Sequence, residues 1–275
     1  MPGYKSDSEA GGRPSGLAAL FPAFAPASKE LADRCALQRR ADTKFVLPES
    51  LLCRLAAALA PDYAALAPPD LYQTLYFDTP DLELFHDHRR GRRVRHKVRM
   101  RAHPEREKCF LEIKSRKSDL LTVKTRQPHA SGVPQLSDAD QDFIRDHTGV
   151  ERPVVPQVRS QYRRLTLIGK EAGERVTVDQ DLEFTPADFP GREITVRSFP
   201  GLAIVEVKQW PYSRHTPVLA ALQALGLRPA WASKYCIGIL STLSTLSTLS
   251  TLSPHKGMRY NRLLPGMRAL EAQVP

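Results

Sequence analysis

Paired cysteines are missing from this 275-residue chain. Cys35, Cys53, Cys109 and Cys236 are scattered and form no CxxC spacing. That argues against a zinc site and against a disulfide framework, and it points to a reduced, cytoplasmic setting. Long apolar runs are missing too: none approaches the roughly 18 residues that a membrane span needs. The alanine-rich stretch from Gly16 to Ala27 is broken by Pro22 and Pro26, which does not suit a signal peptide. Acidic residues are short as well. Forty Lys and Arg stand against 30 Asp and Glu, a net charge of +10. Such a balance suggests a polyanionic partner without choosing which one.

Three regions follow from composition. Residues 1–28, rich in Gly, Pro, Ser and Ala, read as a disordered leader. Residues 29–240 read as the folded domain. Residues 241–275 open with STLSTLSTLSTLS, whose period of three fits neither strand nor helix, and read as a low-complexity repeat with a basic tail. Within the domain, LLCRLAAAL predicts a helix over Leu51 to Ala60, between Pro48 and Pro61. PVLAALQAL predicts another over Pro217 to Leu225, stopped by Gly226. A third is expected over Asp138 to His147. Most of the rest reads as strands.

One pattern carries the functional reading. From Val94 to Arg101, the cations Arg95, Lys97, Arg99 and Arg101 alternate with Val94, His96, Val98 and Met100. Successive strand side chains point to opposite faces, so one face carries four cations and the other is mostly apolar. The alternation recurs with Glu112 and Lys114, with Lys124 and Arg126, and with Tyr162 and Arg164. It recurs again with Arg175, Thr177 and Asp179, and with Glu206 and Lys208. A solvated sheet face would alternate also, but would mix its polar residues more freely. The expected fold is α+β: a closed antiparallel barrel of about eight strands, with a basic interior and a few helices outside. Such a lining repels itself unless an anion fills it. Guanidinium groups and lysines suit phosphate, and carboxylates on the same faces suit a divalent ion that neutralises developing charge in phosphoryl transfer. The basic run from Arg89 to Arg101 is a weaker nucleic-acid candidate. His86, His88 and His96 read as structural, and Trp210 and Trp231 as core or rim.

These strands resemble the VTC-type polyphosphate polymerase domain, a branch of the triphosphate tunnel metalloenzymes related to CYTH domains. The likeness begins at RRADTKF with Arg40, Asp42, Lys44 and Phe45. It continues through TLYFDTPDLELFHDH, KVRMR, FLEIKSR, VKTR, YRR, RVTVDQDL, VEVK and SKY, in the family's order. It spans roughly Leu37 to Ile239. Arg40 and Asp42 replace the alternating glutamates of the CYTH signature, which favours the VTC branch. The resemblance implies a catalytic set of Lys44, Arg99, Arg101, Lys114 and Glu206. It implies substrate binding by Lys124, Arg126, Tyr162, Arg164, Arg175, Lys208, Ser233 and Lys234. Glu206 is the implied metal ligand, with Glu112 and Asp179 as weaker candidates, and the ion would be Mn or Mg. The implied reaction is metal-dependent phosphoryl transfer, foremost polyphosphate polymerisation from ATP. Hydrolysis of triphosphate, or binding of polyphosphate without turnover, are the alternatives. The expected partners are ATP or another triphosphate and inorganic polyphosphate, with no nucleic acid and no membrane span. Oligomeric state is not readable.

Overall fold

The computed structural model describes residues 16–35, 41–117, 122–130, 135–171, 173–187, 196–230 and 232–242. The chain opens with α1 (Leu17–Leu20), β1 (Ala25–Pro26) and α2 (Lys29–Arg34), followed by β2 (Ala41–Pro48) and α3 (Leu52–Leu59). Then come β3 (Tyr63–Asp78), α4 (Glu83–Arg90), β4 (Arg95–His103), β5 (Lys108–Arg116) and β6 (Thr122–Pro128). The helix α5 (Asp138–Thr148) leads to β7 (Val155–Gly169), β8 (Glu174–Pro186), β9 (Arg197–Phe199) and β10 (Leu202–Gln209). Helices α6 (Pro217–Ala224) and α7 (Lys234–Thr242) follow. The three helices expected from sequence are present as α3, α5 and α6, with ends shifted by at most one residue.

One ten-stranded sheet runs in the order β2-β10-β8-β7-β3-β4-β5-β6. Along this path every pairing is antiparallel. The short β1 adds a parallel pair to β3, and β9 pairs with β8. The expected closed barrel is not what forms. Among the described residues β2 and β6 end the path without pairing to each other. Part of the reason lies at β2, where the Ala230 amide donates to the Lys44 carbonyl at 2.7 Å, so a returning segment occupies that strand. The sheet nevertheless curls far enough for Lys114 on β5 to reach Asp42 on β2, Nζ to Oδ2, at 3.1 Å. We call the concave space inside this curl the tunnel.

Alternation decides what each face buries. On the outer face Phe45, Leu47, Leu165, Leu167, Val176, Val178, Val205 and Val207 pack under α1, α3 and α6. A second outer cluster joins Leu75, Phe77, Val98, Met100, Leu111 and Ile113 to Leu84 of α4 and Ile144 of α5. Each such side chain contributes about 1.5–3 kcal/mol. Leu17, Leu20 and Phe24 belong to the first cluster, so residues placed by composition in a disordered leader here contribute core. The third cluster lies on the inner face, where α7 packs Tyr235, Cys236, Ile237 and Ile239 against Val158, Tyr162, Leu182, Phe184 and Ile204. Gly238 makes this seat possible: an added Cβ would lie 2.9 Å from Phe184 and 3.0 Å from Val158. The STL repeat beyond Thr242, with the tail, lies outside the described residues.

Local chemistry holds the helices. The Asp78 carboxylate accepts the amides of Thr79, Leu84 and Phe85 at 2.8 to 2.9 Å, satisfying the start of α4. Tyr235 donates to the same carboxylate and ties α7 to it. Burial raises the Asp78 carboxyl to about 6 in spite of these bonds. A capping box of Ser137 and Asp140 starts α5, and Gly149 ends it at φ 72°.

Candidate phosphate-binding tunnel

Cross-strand register places the tunnel cations in rows. Lys97 faces Lys114 and Lys114 faces Lys124; Arg99 faces Glu112 and Glu112 faces Arg126. Across the curl, Arg164 faces Asp179, Glu206 lies between Lys44 and Thr177, and Lys208 between Asp42 and Arg175. Nine cations (Lys44, Lys97, Arg99, Arg101, Lys114, Lys124, Arg164, Lys208 and Lys234) share this space with four carboxylates, Asp42, Glu112, Asp179 and Glu206.

Three carboxylates act as hubs. Glu112 accepts Arg99 Nε at 2.9 Å and Arg99 Nη2 at 2.7 Å. It also pairs with Lys124 and lies 3.9 Å from Arg101. Burial alone would raise its carboxyl, but Arg99, Arg101 and Lys124 hold it well below the carboxylate range. Asp179 takes Arg164 through two bonds, Nε at 2.5 Å and Nη2 at 2.7 Å, and also takes Lys234. Burial opposes its charge too, and Arg164 and Lys234 again win. Glu206 accepts Lys208 at 2.7 Å and lies 3.6 Å from Lys44. Burial works against its ionisation; Lys208, Lys44 and Lys114 keep it charged.

Aromatic rings form part of the wall. Tyr72 and Tyr162 stack with centroids 5.5 Å apart. Arg101 and Arg164 lie over Tyr72 at 5.5 and 4.9 Å, and Lys234 lies over Tyr162 at 4.5 Å. Arg101 also donates to the Tyr162 hydroxyl at 3.1 Å and to Thr74 at 3.4 Å. Tyr72 and Thr74 were not singled out in the sequence, although DLYQTLYFD carries Tyr72, Thr74 and Tyr76 at the same period of two.

Most expected site residues converge: Lys44, Arg99, Arg101, Glu112, Lys114, Tyr162, Arg164, Asp179, Glu206, Lys208 and Lys234 line one concavity. Arg175 sits beside Lys208. Others differ in setting. Lys124 and Arg126 lie on the exposed edge strand β6, with Arg126 stacked on Phe110 at 4.8 Å. Ser233 is buried, and its hydroxyl accepts the Cys236 amide at 3.4 Å in the first turn of α7. Lys97 faces the tunnel although the family motif carries no role onto it. Two of the three histidines make structural hydrogen bonds: His96 meets the Ser115 hydroxyl at 2.8 Å, and His88 meets the His96 carbonyl at 2.9 Å. Trp210 is an exposed rim residue, and Trp231 lies outside the described residues.

The carboxylates do not gather into a cage. Among the described residues no group of three His, Cys, Asp or Glu side chains could hold a metal by itself. Glu112 and Asp179 are spent on arginines. Glu206 offers a hard oxygen donor ion-paired with Lys44 and Lys208, and one carboxylate together with phosphate oxygens is a donor set that Mg²⁺ accepts. Glu206 therefore fits an ion that arrives with a triphosphate, but not a resident ion held by protein alone.

Residues 39–243 match the family model described as the VTC domain. No curated protein matches the chain. Solved structures resemble it at low identity. A proposed adenylyl cyclase from Hippeastrum with a dominant triphosphatase activity is 19% identical, with a TM-score of 0.48 over 76% of this chain and 99% of that one. A proposed adenylate cyclase from Bacillus halodurans is 14% identical, with a TM-score of 0.45 over 71% and 94%. No helix among the described residues is long and apolar enough to cross a membrane.

Proposed function

The chain belongs to the VTC domain family, and from that premise we propose that the tunnel binds a linear triphosphate or polyphosphate and carries out metal-assisted phosphoryl transfer. The favoured reaction is extension of polyphosphate at the expense of ATP. The observation that carries this reading is the surplus of cations over carboxylates on the concave face of the sheet. A sheet that concentrates like charge on its concave face is stabilised when an anion enters, and a chain of phosphates matches both the charge and the length of the rows.

In this reading Arg99, Arg101 and Arg164 fix phosphate oxygens with planar, oriented donors, while Lys44, Lys114, Lys208 and Lys234 supply point charges. Glu112 and Asp179 already hold Arg99 and Arg164 in place, and Tyr162 and Thr74 hold Arg101, so little rearrangement is needed when the anion binds. Glu206 would hold a Mg²⁺ or Mn²⁺ ion, which when bound would neutralise charge developing on the transferred group. In the reaction the bond between the γ-phosphorus and the β,γ-bridging oxygen breaks. A terminal oxygen of the polyphosphate chain bonds to that phosphorus, and ADP leaves with the bridging oxygen. No protein nucleophile is required; alignment and electrostatics supply the catalysis.

Hydrolysis of triphosphate is the second reading. The packing of α7 against the inner ends of β7 and β8 favours it, because a filled end leaves less room for a growing chain. Purified protein incubated with ATP and Mn²⁺ separates the readings. Polymer on a gel with matching ADP release, absent in Glu206→Gln, supports polymerisation. Free phosphate without polymer supports hydrolysis. Tight polyphosphate binding with neither product overturns both in favour of a binding module.

A further inference from the structure

We propose that Lys97 is an anion-binding residue of the tunnel, taking an oxygen of a linear phosphate chain one rung beyond Arg99 and Arg101. The inference rests on the tunnel reading above and adds to it a residue that the family motif leaves without a role. On β4 the side chains at positions 101, 99 and 97 share one face, at steps of about 6.7 Å. The first two are anchored: Arg101 on Tyr162 and Thr74, Arg99 on Glu112. Lys97 is not. Among the described residues no carboxylate lies within ion-pair distance of it and no hydrogen bond holds its ammonium.

The groups that surround Lys97 make its state costly. Lys114 faces it across the β4–β5 pairing. Lys44 of β2 and Arg99 of its own strand add positive charge, Cys236 comes from α7, and on α4 it acts on His88. Burial first, and then these cations, push the ammonium down to about 7, with Cys236 acting in the opposite direction. A half-buried ammonium ringed by cations gains nothing from the empty tunnel. A phosphate oxygen in the same space would supply the missing counter-charge. Binding would therefore restore the proton that the empty tunnel drives off, so the complex takes up a proton at mildly alkaline pH.

Titration calorimetry of the full chain with sodium tripolyphosphate at pH 8, in two buffers of different ionisation enthalpy, reads affinity and proton uptake together. Wild type is expected to bind with net proton uptake. Lys97→Met is expected to bind about tenfold more weakly with less uptake. Lys97→Arg is expected to recover affinity without recovering uptake, because a guanidinium stays protonated at pH 8. Wild-type affinity together with wild-type proton uptake in Lys97→Met would overturn the role of Lys97 while leaving the tunnel reading intact. Failure of the wild-type chain to bind tripolyphosphate would overturn the tunnel reading, and this inference with it.

Discussion

Two sectors of the tunnel carry cations under opposite conditions. Around Glu112 and Asp179, Arg99 and Arg164 are each held by two hydrogen bonds to a buried carboxylate. Along the row Lys97, Lys114 and Lys124, three lysines face one another across β4, β5 and β6. Lys114 and Lys124 reach Asp42 and Glu112, but Lys97 reaches no carboxylate among the described residues. The first sector keeps its shape without ligand. In the second, Lys97 is left with a repulsion that an entering anion would relieve. Affinity for a polyanion and stability of the empty protein are thus set in different places.

The comparison breaks most visibly at Asp179. Asp179→Asn leaves Arg164 and Lys234 buried beside a neutral amide. Removal of one partner from a buried ion pair costs about 3–5 kcal/mol. Denaturant unfolding should show a midpoint far below wild type, with partial recovery when tripolyphosphate is added. A midpoint near wild type would mean that the hub does not organise the tunnel.

Helix α7 bears on both sectors, through the Lys234 pair with Asp179 and through the electrostatic influence of Cys236 on Lys97. Gly238 sets how closely it seats. Gly238→Ala forces a methyl group to within 3.0 Å of Phe184 and Val158, and overpacking of this kind costs about 1–3 kcal/mol. Melting temperature should fall, and polyphosphate affinity with it, because Lys234 moves with the helix. Loss of stability with unchanged affinity would separate the helix from the site.

How far the sequence showed this in advance depends on the kind of information needed. Two-residue alternation was enough to sort Arg99, Lys114, Arg164 and Glu206 onto one face, because side-chain direction in a strand is local. Amphipathic spacing marked α3, whose apolar positions recur every three to four residues. Closure was not legible: alternation describes faces and says nothing of edges, so the unpaired ends at β2 and β6 could not be foreseen. Helix α7 escaped notice because Tyr235 to Ile239 are buried on all sides and show no polar stripe. The hubs were hidden too, since the pairing of Asp179 with Arg164, or of Lys124 with Glu112, is decided by register between distant strands. Leu17 and Phe24 look like leader in composition, and only tertiary contact with α3 makes them core.

The smallest expected effect concerns pH, and it tests the lysine row directly. The Lys97 ammonium falls from an ordinary value of 10.5 in the unfolded chain to about 7 in the folded one. Between those values the unfolded state binds more protons, so stability of the empty protein should rise as pH increases from about 7 toward 10. Lys208, lowered to about 8 by burial against the pull of Glu206, acts in the same direction over a narrower window. Denaturation at pH 7 and pH 9 should show a gain of roughly 1 kcal/mol in wild type. Lys97→Met should be more stable than wild type at pH 7, and the two should converge toward pH 9, because the mutation removes a charge that the fold itself expels. Saturating tripolyphosphate should flatten or reverse the wild-type slope by making the protonated row favourable. A falling slope in the empty protein, or a less stable Lys97→Met at pH 7, would show that Lys97 already has a partner, and the contrast between the two sectors would be lost.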